Sequence, residues 1–298
     1  MKKVKIITDS CSDLTPEMLS EFDIDYAKMS TVLDGIESPA YLTWTEGDAH
    51  ELYETIRNGK RITTTQVSVE EFRLIFEKYL KMGMDIVYIG CSSKQSGSVN
   101  TGRITANKLL ESYPDSKIHC IDSLNASMGE GLLAIEAAKL AASDKGADEI
   151  FDYIMSIRKK VNQFVTVHTL DHLKKAGRVS ASAAFFGNLM GVKPILISDI
   201  NGTQTALKKV KGRKTSFAEI VSLLKEAVCD QKSPTVYLAH ADCPKNEISE
   251  LVELIETEME TKDIKIGYIG PIIGASIGPD AVGIWALGKD ITFVAAQL

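Results

Sequence analysis

The sequence predicts an α/β protein of two domains, and three observations support that prediction. Short β-branched runs alternate with amphipathic stretches over about the first 160 residues, which is typical of helices packed on a parallel sheet. A polar loop follows each of these runs. Further along, Asn201-Gly202 separates two extended runs, which is a strong hairpin signal. We therefore expect an N-terminal three-layer α/β/α domain with a parallel sheet and a C-terminal α+β domain with a mixed, largely antiparallel sheet.

Capping residues and periodicity locate the N-terminal elements. Thr15 before Pro16 marks the start of one helix, and Ser68 with Glu71 forms a capping box at the start of another. Strands are predicted at residues 4–7, 26–33, 85–89 and 117–121, and further helices at 46–57, 68–80, 99–112 and 128–142.

The C-terminal half has a less regular order of elements. We predict strands at residues 163–167, 194–198, 203–210, 235–240, 264–269, 282–287 and 291–294. Helices are expected at 170–176, 180–190, 215–229 and 244–260, with a glycine-rich loop at 270–278. The predicted domains are residues 1–162 and 163–298, with a ligand between them.

Composition and charge exclude several classes of protein. The chain has 298 residues, 44% of them hydrophobic and 25% charged, which is the balance of an ordinary soluble globular protein. A net charge of −6 argues against binding to duplex nucleic acid. No apolar run approaches the roughly 18 residues that span a bilayer, and the N-terminus is too polar for a signal peptide. We expect a cytoplasmic protein with no membrane anchor, whose five cysteines are reduced.

Clusters of hydroxyl side chains follow several predicted strands. Serine and threonine hydroxyls beside helix N-termini can donate hydrogen bonds to a carboxylate or a phosphate, although each one can equally be an ordinary helix cap. Because the ends of parallel strands meet at one edge of a sheet, we expect these clusters to lie together: residues 8–10, 63–66, 92–98 and 122–123.

Motifs for familiar catalytic sites do not fit the sequence. The stretch from Gly90 to Gly97 is not a P-loop, because Ser98 stands where that motif needs Lys. The pair Gly129 and Gly131 lacks the third glycine of a dinucleotide fingerprint. The stretch 90–94 is not a nucleophile elbow, because Lys94 stands in place of its last glycine. His168 and His172 have metal-ligand spacing, but a predicted strand end separates them, so no metal site is predicted.

Two other classes of function stay open. A small-molecule transferase or hydrolase could use the crevice between the domains, with Asp9, Asp122 and His240 as acid–base candidates. A regulatory protein could use the basic run 208–214 to dock a partner or nucleic acid, although a solvated charged surface explains that run equally well.

Six motifs in order resemble the DegV family of bacterial fatty-acid-binding proteins, and the resemblance covers nearly the whole chain. The motifs are Ile7-Thr8-Asp9-Ser10, Thr64-Thr65-Gln66-Val67-Ser68, Ser92-Ser93-Lys94-Gln95-Ser96-Gly97-Ser98, Asp122-Ser123 with Ser127-Met128-Gly129, Lys175-Ala176-Gly177-Arg178-Val179-Ser180, and Lys193-Pro194-Ile195-Leu196. The resemblance implies two α/β domains with one long-chain fatty acid buried in a tunnel between them.

The same resemblance implies the site residues and the partner. The fatty-acid carboxylate would be held by Thr64 and by Ser93 or Ser96, with Thr65, Ser276 and Arg178 in secondary roles. Such proteins are not enzymes and carry no cofactor or metal. They present the bound acid to an ATP-dependent fatty acid kinase, which makes an acyl phosphate for phospholipid synthesis.

This chain departs from the family pattern at two places. Many members have a His where Ser276 stands, and an Arg where Lys211 stands. Serine can donate a hydrogen bond but carries no positive charge, and lysine is a poor substitute for a bidentate arginine. Burial of a sixteen-carbon tail could nevertheless supply roughly 10 kcal/mol, and the apolar stretch 184–190 is a candidate wall for it.

Overall fold

The N-terminal lobe comprises residues 2–160 of the computed structural model, which describes residues 2–181 and 191–295. Its strands are β1 (Val4–Asp9), β2 (Ile24–Ala27), β3 (Ser30–Leu33), β4 (Ile36–Pro39), β5 (Ile62–Thr65), β6 (Asp85–Gly90) and β7 (Ile118–Asp122). Its helices are α1 (Pro16–Glu21), α2 (Glu46–Arg57), α3 (Val69–Lys81), α4 (Ser98–Leu110), α5 (Met128–Ala142) and α6 (Ala147–Ile157).

The C-terminal lobe begins at residue 161, directly after a short 3-10 helix (Arg158–Lys160). Its strands are β8 (Val161–Thr166), β9 (Val192–Ser198), β10 (Gln204–Lys211), β11 (Thr235–His240), β12 (Asp263–Tyr268) and β13 (Val282–Leu287). Its helices are α7 (Asp171–Ala176), α8 (Arg213–Ala227), α9 (Lys245–Glu258) and α10 (Pro271–Ile277).

A parallel sheet in the order β2-β1-β6-β7 is the centre of the N-terminal lobe. Its two middle strands are buried on both faces because helices cover both sides. On one side Phe72 and Phe76 of α3 pack against Tyr88 of β6, with ring centroids 5.0 and 6.1 Å from the Tyr88 ring. On the other side lie α5 and α6. The predicted three-layer α/β/α arrangement is confirmed.

A small antiparallel sheet in the order β4-β3-β5 was not predicted. Asp34 and Gly35, both with positive φ, form the turn between β3 and β4. The hydroxyl cluster 63–66, which we expected at a strand end beside the edge of the parallel sheet, lies mostly within β5 of this small sheet. The sheet assignment differs from the expectation, because three successive β-branched threonines favour a strand of their own.

The C-terminal sheet has the order β10-β9-β8-β13-β11-β12, and of these pairs only β11 and β12 run parallel. The predicted mixed, largely antiparallel sheet is confirmed, including the hairpin at Asn201-Gly202. Two predictions for this lobe were wrong. Residues 270–278 are mostly the helix α10, which Pro271 starts at its first position. Residues 291–294 form no strand and attach through single backbone bonds, such as Ile291 N–H to Lys159 O at 2.8 Å.

The predicted boundary between residues 162 and 163 falls inside β8, so the division into domains at that point stays a prediction. The helix predicted at 180–190 and the apolar stretch 184–190 lie almost wholly outside the described residues. Among the helices that the structure describes, none combines the length and the apolar character needed to cross a bilayer.

Buried hydrogen bonds join the two lobes. The Tyr53 hydroxyl donates to the carbonyl oxygen of Ile269 at 2.6 Å, and the N–H of Gly270 donates to Asp13 Oδ1 at 2.8 Å. The Ser92 hydroxyl donates to the carbonyl oxygen of Gly202 at 2.8 Å. Because these partners are more than 100 residues apart in sequence, they fix the lobes relative to each other and define the space between them.

Candidate functional site: a cavity between the lobes

A cavity of about 280 Å³ lies between the lobes. The N-terminal lobe contributes β5, the loops after β1 and β6, and the segment before α5, whereas the C-terminal lobe contributes β8, β9, β10, β13, α7 and α10. The position follows from the fold, because the ends of the parallel strands face the second sheet there, and open α/β sheets bind ligands at that edge.

Hydroxyl and amide groups form one part of the cavity wall. They include Thr64 on β5, Ser96 in the loop before α4, and Ser276 on α10. The loop of Ser96 is a tight turn, because the N–H groups of Gln95 and Ser96 both donate to the carbonyl oxygen of Ser92, at 2.8 and 3.0 Å. This turn sets the Ser96 hydroxyl 2.9 Å from that of Ser98 at the start of α4.

Arg178 brings a positive charge to the same wall. It follows Gly177, whose left-handed backbone (φ 67°) ends α7. The Arg178 guanidinium donates to the backbone carbonyl of Gln95 through Nε at 3.2 Å and to that of Ala176 through Nη1. Both acceptors are neutral, so the guanidinium keeps its net charge beside Ser96.

Apolar side chains form the remainder of the described wall. Val165, Leu173 and Leu196 are nearly or fully buried, and Trp285 is 2% exposed. Side chains from α10 complete the apolar wall: Ile272, Ile273 and Ile277. The cavity is thus amphipathic, because hydroxyl groups and a guanidinium share its lining with buried hydrocarbon.

Sequence reasoning missed a buried amide pair in this wall. Gln163 Nε2 donates to Gln204 Oε1 at 2.5 Å, and Trp285 Nε1 donates to Gln163 Oε1 at 3.2 Å. Gln163 and Gln204 are 4% and 8% exposed and both line the cavity. No sequence motif marked them, because a strand glutamine ordinarily faces solvent.

Two thiols also face the cavity. Cys11 and Cys91 follow the neighbouring strands β1 and β6 and are both buried. A hydrogen bond with the Cys91 thiol, together with burial, raises the pKa of Cys11 well above its ordinary value. The Cys11 thiol is therefore protonated at neutral pH and adds no charge to the wall.

The structure brings together four of the six predicted site residues. Thr64, Ser96, Ser276 and Arg178 all line the cavity. The other two do not line it. The Thr65 hydroxyl donates to Glu37 Oε1 at 3.0 Å, because neighbouring strand residues point to opposite faces. Ser93 is exposed, and its N–H donates to Asp122 Oδ1 at 3.2 Å.

The three acid–base candidates lie apart from one another and outside the described wall. Asp9 is buried and accepts a hydrogen bond from the Tyr88 hydroxyl at 2.7 Å, and desolvation raises its pKa. Asp122 accepts the N–H of Leu124 at 3.0 Å. Burial lowers the pKa of His240 to about 4, and His240 lines a different cavity. Within the described part of the chain, no Asp, Glu or His lines the cavity between the lobes.

The remaining charged motifs are engaged elsewhere. The basic run at 208–214 pairs largely with acids of α8 and α9: Lys208 with Glu219 at 2.5 Å, Arg213 with Glu247 at 2.9 Å, and Lys214 with Glu250 at 3.2 Å. His168 lies after the end of β8 and His172 within α7. The prediction that they do not share one helix is confirmed.

One group of side chains has the spacing of metal ligands. The ligand atoms of His50, Glu54 and Asp242 lie within 4.8 Å of one another. However, Arg57 donates to Asp242 Oδ2 at 2.6 Å, to Glu54 Oε1 at 3.0 Å and to Asp280 Oδ1 at 2.8 Å. Because this guanidinium already pairs with both carboxylates, the cluster is an ion-paired contact between the lobes.

Comparisons with known proteins agree with one another. The family model described as "Uncharacterised protein, DegV family" matches residues 3–289. A DegV domain-containing protein of Clostridium perfringens is 35% identical over 288 residues, which cover 97% of this chain and 98% of that protein. A second protein of the same kind from that organism is 30% identical over 282 residues, 94% of this chain and 97% of its own length.

Solved structures give the same result. A DegV lipid-binding protein from Thermotoga maritima has a TM-score of 0.85 and 26% identity, and the match covers 98% of this chain and 100% of that one. A DegV family protein from Thermus thermophilus, whose description concerns fatty-acid binding, has a TM-score of 0.86 and 22% identity, with 96% and 100% covered. At that identity the second likeness concerns the fold alone.

Proposed function

The chain belongs to the DegV family, and from this premise we propose that it binds one long-chain fatty acid in the cavity between its lobes. The observation that carries the proposal is the amphipathic wall, which combines hydroxyl donors and Arg178 with buried hydrocarbon. The Thermotoga maritima relative, described as a lipid-binding protein, supports the same reading.

The fatty-acid carboxylate is held by the hydroxyls of Thr64 and Ser96, with Ser276 and Arg178 beside them. Hydroxyl donors suit this role because charge-assisted hydrogen bonds to a carboxylate are stronger than neutral ones. Ser276 contributes a hydrogen-bond donor that carries no charge. Among the described residues of the wall, Arg178 is the one cation. Thr65 and Ser93 do not contact the ligand in this proposal, since their side chains lie off the wall.

The alkyl tail lies against Val165, Leu196 and Trp285. Each buried CH₂ contributes about 0.8 kcal/mol, so a tail of sixteen carbons supplies roughly 10 kcal/mol before the costs of association. Most of the affinity therefore comes from the tail, and the headgroup contacts set its orientation.

The protein acts as a carrier in the cytoplasm and presents the acid to an ATP-dependent fatty acid kinase. The absence of an acid–base pair from the described wall favours binding over chemistry. Purified carrier loaded with palmitate, a fatty acid kinase and ATP should together give palmitoyl phosphate and ADP, which neither protein gives alone. Equal turnover without this chain would remove the kinase part of the proposal and leave fatty-acid binding intact.

Native mass spectrometry tests the binding itself. The purified chain, incubated with saturated acids of fourteen to eighteen carbons, should carry one acid per molecule, and solvent extraction should recover that acid. A chain that takes up none of these acids after removal of any bound lipid would refute the proposal.

A further inference from the structure

A second pocket adjoins the fatty-acid cavity and shares Thr64, Arg178 and Ser276 with it. It has a volume of about 250 Å³. We call it the basic pocket and define it by the polar side chains that line it in addition to the shared three: Lys60, Arg61, Thr63, His172 and Lys175.

The basic pocket concentrates positive charge in a chain of net charge −6. Four lysine or arginine side chains and one histidine line it, and no Asp or Glu stands among its described lining residues. These residues come from both lobes, from the segment after α2, from β5 and from α7. The fold therefore assembles the charge from sequence-distant parts of the chain.

Most of this charge has no acidic partner. Lys60 pairs with Asp34 at 2.8 Å, where both side chains are more than half exposed. Among the residues that the structure describes, Arg178 donates only to backbone carbonyls. Within residues 2–181 and 191–295, no carboxylate forms an ion pair with Arg61 or Lys175. Like charges that line one pocket repel one another unless an anion lies between them.

We propose that the basic pocket is a binding site for a phosphate group, adjoining the site of the fatty-acid carboxylate. A phosphate dianion interacts with several cations at once, and the fork of an arginine matches its oxygens. The Thr63 hydroxyl adds a neutral donor. Burial lowers the pKa of His172, so its neutral ring can donate one N–H to an anion. The phosphate contacts need no bound lipid. The proposal rests on the proposed function only in placing the phosphate next to a fatty-acid carboxylate.

Titration of lipid-free protein with inorganic phosphate, followed by calorimetry, tests this site. We compare the wild-type chain with a double variant, Arg61→Gln and Lys175→Gln, because neither residue lines the fatty-acid cavity. The matched control is Lys108→Gln with Lys232→Gln, which removes two exposed charges outside the pocket. The wild-type and control proteins should bind phosphate saturably, and the double variant at least about fivefold more weakly. Wild-type affinity should also fall as salt is raised.

The outcomes separate this proposal from the first one. Equal phosphate binding by the double variant and the control, or no saturable binding by the wild type, would overturn the phosphate site even if fatty acid binds normally. Loss of fatty-acid binding alone would leave the phosphate site standing. Titration with glycerol 3-phosphate distinguishes the source of the group: tighter binding than inorganic phosphate identifies a phosphate monoester as the ligand, and equal binding identifies the free ion.

Discussion

Replacing Thr64 by valine tests the headgroup contact most sharply. Valine keeps the shape and the β-branch of threonine, so β5 should form as before, but the hydroxyl donor is lost. Thr65 is the matched control, since it follows Thr64 on the same strand and its hydroxyl bonds to Glu37 at 3.0 Å instead of facing the cavity. The two substitutions remove the same atom from neighbouring positions.

The expected magnitude follows from the bond that is lost. A hydrogen bond to a charged group contributes about 1.5–3 kcal/mol, and Thr64 is only partly buried, so the lower end applies. At 1.4 kcal/mol per factor of ten, Thr64→Val should raise the Kd for palmitate about tenfold, and Thr65→Val less than about twofold. Ser96→Ala and Ser93→Ala form a second pair with the same expectation.

Displacement of a fluorescent fatty acid from lipid-free protein measures these Kd values, and circular dichroism checks that each variant is folded. Decanol gives a further control, because an alcohol buries the same kind of tail but carries no charge. Its affinity should change less than that of decanoate in Thr64→Val. A larger loss in Thr65→Val than in Thr64→Val, or no loss in either, would refute this assignment of the headgroup site.

Three further predictions concern stability. Burial raises the pKa of Asp13 to about 7, above its unfolded value near 4, so its contribution to stability is complete below pH 4 and is lost as pH rises through 7. Between pH 4 and 8, the free energy of unfolding in urea should therefore fall less for Asp13→Asn than for the wild type, and the difference should reach up to about 4 kcal/mol. Parallel plots of unfolding free energy against pH for the two proteins would contradict this. Tyr53→Phe leaves the carbonyl of Ile269 unpaired between the lobes and should lower the free energy of unfolding by about 1–3 kcal/mol in urea; no change would show that water replaces the hydroxyl. Gly131→Ala places a Cβ 2.8 Å from the carbonyl oxygen of Ser12, so the melting temperature should fall with a loss of about 1–3 kcal/mol, whereas an unchanged melting temperature would show that the backbone yields freely.

The sequence predicts the parallel sheet and its helices well because each signal there is local. Helix α2 begins after Thr45, whose hydroxyl accepts the N–H of Asp48, and the sequence prediction of 46–57 has the bounds of the helix. Strand β6 contains the apolar run 86–89 between Asp85 and Gly90, and all six of its residues are buried. Caps and continuous apolar runs need no tertiary information.

Helix α10 could not be predicted in the same way. Its glycines indicate a loop when they are taken as breakers of structure. Gly274 instead belongs to the helix, where a Cβ would lie 2.6 Å from the Tyr53 hydroxyl of the other lobe. Gly274 therefore allows the two lobes to pack closely. This contact with Tyr53 depends on the folded structure and has no signal in the local sequence.

The candidate site was likewise predictable only in part. Thr64, Ser96 and Arg178 stand in motifs that resemble a known family, whereas Ser276 stands where the chain departs from the family pattern, and all four line the cavity. The motifs do not say which member of the pairs Thr64/Thr65 and Ser93/Ser96 faces inward, because that depends on strand pleat and turn geometry. The Gln163–Gln204 pair comes from two strands that are distant in sequence, so no local pattern could mark it.

A crystal structure of the chain with palmitate tests the central claim most directly. The proposal predicts the carboxylate within hydrogen-bond distance of the Thr64 and Ser96 hydroxyls, with the tail between the lobes beside Val165 and Trp285. Palmitate bound at another surface, or bound in the cavity with its carboxylate at the Gln163–Gln204 end, would contradict it.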